Sequence, residues 1–167
     1  MTGLGDVFAV VVTLIGVCFS LWAMIVVFAL MFPTSARAAA DRIGDRPVPT
    51  TLLGAAIVIF GGGFGLVLLN APPPPVKLLG TTLLLIILGI GVIGAAGIGH
   101  LLAGRMQTLG APLSPFAALS RASGMIAFAW LLPFLGWFLV GPLLLMASVG
   151  AGFMSLRPAR EKGHASL

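Results

Sequence analysis

The chain has 167 residues, of which 59% are hydrophobic and only 8% charged, with a mean hydropathy of +1.18. Soluble domains carry about 25% charged residues because part of every element must face water, so this composition excludes a water-soluble globular body and points to lipid as the main solvent. The net charge of +5 is spread over loops, with no basic cluster beyond Arg157, Arg160 and Lys162. That excludes a nucleic-acid footprint and fits cationic loops retained on the cytoplasmic side of a membrane, with anionic-lipid contact as a further expectation.

The first apolar run, residues 7–32, is uncharged and extends roughly 39 Å as a helix, enough to cross a ~30 Å hydrocarbon core with tilt. It is longer than the apolar core of a cleavable signal, and no Lys or Arg precedes it, so a retained span is expected. Cys18 is the only cysteine, has no pairing partner in the chain, and reads as a small buried hydrophobe. Residues 34–51 carry Arg37, Asp41, Arg42, Asp45 and Arg46. A solvated loop is the expectation there, with a short interfacial helix at its alanine-rich start as the alternative.

The second span, residues 52–69, has Gly61-Gly62-Gly63-Phe64-Gly65 near its centre and stops at Asn70 and the prolines 72–75. Four consecutive prolines lack the amide hydrogens that lipid-exposed backbone must pair, so they form a stiff turn outside the hydrocarbon. The third span, residues 76–103, has Lys77 at one end and His100 and Arg105 at the other. After a Gly/Pro/Ser loop, Ser114-Pro115 reads as an N-cap followed by proline in the first helical position.

From residue 116 to 156 the chain is apolar apart from Ser120, Arg121, Ser123, Ser148 and Ser155, and Pro133-Phe134-Leu135-Gly136 interrupts it. Four spans and five are both conceivable, and the sidedness of positive charge separates them. With four spans, Arg37, Arg42, Arg46, Arg105 and Arg121 oppose Lys77, Arg157, Arg160 and Lys162, which orients nothing. With five, residues 115–132 and 137–156 form a Pro-x-x-Gly hairpin, and Lys77 alone stands apart from the other cations. Trp130 and Trp137 then fall at an interface, where indole rings prefer to sit. The expected fold is therefore an all-α, polytopic transmembrane bundle of four to five spans in one membrane domain. Its amino terminus lies outside and its carboxyl terminus is cytoplasmic.

With 23 copies, glycine is the most informative residue. Gly91, Ala95, Gly99 and Ala103 recur every four residues, Gly61 and Gly65 repeat the spacing on the second span, and Ser148 and Gly152 do so on the last. Small residues at this period let helix backbones approach closely, either within the chain or against another subunit. His100, Arg105 and Arg121 are the polar residues nearest membrane depth. His164 is the only other histidine, so no bis-histidine or His/Cys/carboxylate set is expected to hold a haem or metal. Asp6, Asp41, Asp45 and Glu161 all lie outside the apolar runs, which speaks against an ion-coupled carrier.

The segments Leu102-Ala103-Gly104-Arg105-Met106, Ser114-Pro115-Phe116, Leu131-Leu132-Pro133-Phe134-Leu135-Gly136-Trp137 and Gly150-Ala151-Gly152 resemble the carboxyl-terminal membrane region of bacterial polymer-forming cytoskeletal (bactofilin-like) membrane proteins. The resemblance covers roughly the last 70 residues and does not extend to the soluble β-helical domain of that family. It implies a membrane-organising context and a hairpin at Pro133–Gly136, and carries no activity. The sequence thus leads to a non-enzymatic accessory or scaffold subunit without catalytic residues, metal or cofactor. Its partners would be the bilayer and other membrane subunits or further copies of itself. A small channel or transporter component is the alternative.

Overall fold

The computed structural model describes residues 3–110, 113–132, 134 and 136–156. Every regular element among them is helical: α1 Leu4–Met31, α2 Pro33–Asp45, α3 Pro47–Ala56, α4 Gly63–Asn70, α5 Pro74–Thr108, α6 Pro115–Leu131 and α7 Gly141–Ser155. A π-helical turn, Ile57–Gly62, joins α3 to α4, and a second, Gly136–Val140, leads into α7.

Proline placement explains most of the starts. Pro33, Pro47, Pro74 and Pro115 each occupy the first position of a helix. The missing amide hydrogen costs nothing there, and the fixed φ suits the helix. Ser114 caps α6 by accepting a hydrogen bond from the Ala117 amide at 3.3 Å. The glycine run 61–65 does not break the second rod: Gly61 and Gly62 end a widened π turn and Gly63 opens α4, so the backbone donors stay paired.

The polar stretch 34–51 is not the solvated loop that its charges suggest. It is folded into α2 and the start of α3. Ala36, Ala39 and Ala40 are buried, while Arg37, Asp41 and Arg42 on the opposite side are exposed. Three alanines on one face let α2 lie against Gly97 of α5, and this amphipathic fit favours the helix over a solvated loop.

Four rods are long and apolar enough to cross a bilayer: α1, the α3–α4 rod, α5, and the Gly136–Ser155 rod. This is compatible with an integral, multi-pass membrane protein. Helix α6, with 17 residues, spans about 26 Å, slightly less than a full hydrocarbon core. Between α6 and the second π turn, Leu132 is extended and the Gly136 amide donates to its carbonyl at 2.7 Å. Pro133 and Leu135 of the expected turn lie outside the described residues.

Side-chain registers set the directions. Gly61 faces Ile87, and Gly65 faces Leu84 and Gly80, so α4 and α5 run antiparallel. Thr50 reaches Met154, and Gly54 lies on Met146 and Gly150, so α3 and α7 are antiparallel as well. Cys18 meets Ala127 and Trp22 meets Ser120, which makes α1 and α6 antiparallel. Ile90 meets Gly152, Gly91 meets Val149 and Gly94 meets Ser148, so α5 and α7 also pair in antiparallel order where they touch. Arg37, Arg42, Arg46, Arg105 and Arg121 gather at one end, and Lys77 stands at the proline-turn end. Arg157, Arg160 and Lys162 lie outside the described residues.

Candidate functional site

Glycine-lined contacts draw the helices together. A Cβ on Gly94 would overlap the Ser148 carbonyl, one on Gly150 the Thr50 carbonyl, and one on Gly54 the Met146 carbonyl. Gly97 receives Ala39 of α2, and Gly80 receives Gly65 and Leu68 of α4. At such approach, dispersion and weak Cα–H···O contacts accumulate over whole helix turns.

The small residues singled out by spacing face helices of the same chain. Gly61 and Gly65 pack on Ile87 and Leu84, Gly91 on Val149, and Gly152 on the Ile90 carbonyl, while Gly99 faces Ser123, Ile25 and Leu119. Ser148 is buried against Gly94, and Ala95 packs beside the Ile25–Ile98–Ile126 cluster. The tightest approaches, however, belong to Gly54, Gly94 and Gly150, outside the every-fourth-residue stripes. Gly94-x-x-Gly97 was visible as an i, i+3 pair, but several overlapping stripes compete in so glycine-rich a helix.

Between these contacts the bundle leaves a half-enclosed chamber of about 400 Å³. Its floor is one face of α5 from Leu84 to Ile98. One wall comes from α1 and α6, the other from α7 and the π turn at Val58 and Gly62. Helices α6 and α7 share α5 but otherwise pack on different neighbours, α6 on α1 and α7 on α3 and α2. Gly62 and Gly91 contribute no side chain to fill the space.

Among the described residues, Ser148 and the Trp130 indole are the only polar side chains in the lining. A buried water needs two to four polar partners, so water is a poor occupant. Only hydrocarbon fills such a space favourably.

The candidate polar residues do not converge. Arg105 is exposed in the last turn of α5, and Arg121 is exposed on α6. His100 is half-buried, and its Nε2 has no hydrogen-bond partner among the described residues; the same holds for Ser123 Oγ. Among the described residues no group of three His, Cys, Asp or Glu is placed to hold a metal ion.

Cys18 and Trp22 carry polar contacts that the sequence did not announce. The Cys18 thiol donates to the Ala127 carbonyl at 3.1 Å, and the Trp22 indole N–H to the Ser120 carbonyl at 3.0 Å. Gly124 lies beside the Trp22 ring and leaves room for it. Comparison with family models, with curated proteins and with solved structures finds no match for this chain.

Proposed function

We propose that this chain is a non-enzymatic accessory or scaffold subunit of a bacterial inner-membrane complex. The observation that carries the reading is a set of glycines facing away from the bundle. At Gly16 on α1, Gly63 on α4 and Gly89 on α5 a Cβ would meet nothing within 4 Å. The inward glycines are occupied by helices of this chain, but these outward notches are open. A partner helix that fills one approaches the backbone closely, which is how helices associate where lipid removes the hydrophobic drive. The resemblance to membrane-organising proteins supports the same reading.

The amino-terminal half of α1 is the favoured seat. Val7, Phe8, Val10, Val11 and Val12 are all exposed, and burial on α1 sets in only toward Ile25. The expected experiment is purification from a bacterial membrane in mild detergent. Wild-type chain should co-purify with a larger membrane assembly or as a higher oligomer, and Gly16→Leu with Gly89→Leu should release it without unfolding it. A lone monomer in both cases would refute the reading.

A channel or transporter component is the second reading, favoured by the π turn bordering the chamber, since such irregular turns often mark functional positions. The apolar lining argues for the scaffold. Flux through reconstituted protein, abolished by Arg121→Ala, would reverse that order.

A further inference from the structure

Lys77, Leu84, Gly91 and Ile98 are spaced seven residues apart on α5, and the last three lie in the floor of the chamber. Seven residues fall only ~20° short of two full turns, so Lys77 stands on the chamber's own face, about 10 Å before Leu84. Lys77 is exposed, and among the described residues it is the only Lys or Arg at the proline-turn end.

The two ends of the chamber differ. Toward the arginine end it is shut by Ile25, Ile98 and Ile126, which are 4%, 8% and 8% exposed. Toward Lys77, Leu84 is half-buried under Gly65 of α4, and the lining opens beside it at Leu88, which is 56% exposed. From Leu84 to Ile98 the floor runs about 21 Å along the helix axis. The space is thus elongated and apolar, closed at its far tip and open at Leu88, with Lys77 about three turns away on the same side of α5.

We propose that the chamber holds one acyl chain of an anionic bilayer phospholipid, inserted from the leaflet on the proline-turn side with its phosphate against the Lys77 ammonium. The tail supplies the hydrocarbon that the lining requires. The head group supplies the charge that a lysine with a long apolar stem can meet at the interface. Lys77 is suited to this as a mobile point charge on phosphate. A free isoprenoid or quinone would fill the same space but has no phosphate for Lys77. The inference stands whether or not the chain acts as a scaffold.

The test uses the full chain in vesicles containing phosphatidylglycerol with a photoactivatable diazirine near the end of one acyl chain. Cross-links should concentrate on Gly91, Ala95, Ile126 and Val149, above the outward-facing Leu79 and Leu85. Lys77→Ala should lower chamber labelling about fivefold, the factor for one interfacial cation on an anionic lipid, and Lys77→Arg should restore it. Gly62→Leu, whose Cβ meets nothing within 4 Å, should fill the chamber and lower labelling with Lys77 intact. Labelling that is equal on Leu85 and in the chamber would overturn the proposal. So would chamber labelling that is indifferent to Lys77→Ala, or a phosphate-free apolar molecule co-purifying in the chamber.

Discussion

Gly94 and Ser148 meet backbone against backbone: any side chain on Gly94 would occupy the space of the Ser148 carbonyl. This contact fixes α7 on α5, and with Gly54 on Gly150 it wedges α7 between α5 and the α3–α4 rod.

Gly94→Ala should therefore destabilise the bundle by about 3 kcal/mol or more, since overpacking into backbone leaves nothing that can yield. The gain in helix propensity is only about 1 kcal/mol. Gly89→Ala, where a Cβ meets open space, should be neutral or slightly stabilising. Thermal unfolding of both variants in the same mild detergent checks the contrast.

Thr50 is fully buried, and its hydroxyl donates to the Arg46 carbonyl at 2.7 Å, with Met154 Sδ at 3.6 Å. Thr50→Val keeps the shape and removes the hydroxyl, so a loss of about 1 kcal/mol is expected. Ser123 is equally buried, but its hydroxyl has no partner among the described residues. Ser123→Ala should stay within about 0.5 kcal/mol of wild type, or stabilise. Equal losses in the two variants would contradict this difference.

Helix α1 is held to α6 by two side-chain donors, Trp22 to Ser120 and Cys18 to Ala127. Trp22→Phe keeps the ring and removes the indole N–H, at a cost of about 1 kcal/mol. The loss should appear as protease sensitivity near α1 before the rest of the bundle unfolds. Simultaneous loss of all helices would show that α1 is not a separable element.

With Cys18 replaced by alanine, single cysteines at Arg37, Gln107 and Pro72 report sidedness. The alternation of helix directions places the first two at one end and the third at the other. A membrane-impermeant thiol reagent should label positions 37 and 107 from the same side of a sealed vesicle, and 72 from the opposite side. Labelling of 107 together with 72 would break the topology.

The outlines of the rods were legible because each rests on local rules. Uncharged runs mark spans and Ser114-Pro115 marks the start of α6, whereas Pro33, Pro47 and Pro74 also open helices in stretches that read as a span end, a loop and a turn. The second rod begins at Pro47 rather than at residue 52, and two further boundaries moved. Helix α5 continues past residue 103 to Thr108, and α2 occupies the stretch expected as a loop. Both extensions answer to neighbours: Leu101 packs near Gly44 and Ala39 against Gly97, contacts that no local window contains.

By itself, the sequence determined that this chain is helical and made for lipid, because backbone amides without water must pair along their own helix. It also marked the long apolar rods, four of which are long enough to cross a bilayer. Only the tertiary structure decided which glycines touch, that Gly94 rather than the Gly91–Ala95–Gly99 stripe takes the closest contact, and that a chamber remains between the walls. In a chain with 23 glycines many faces could pack, and the choice among them depends on how all the helices fit together at once.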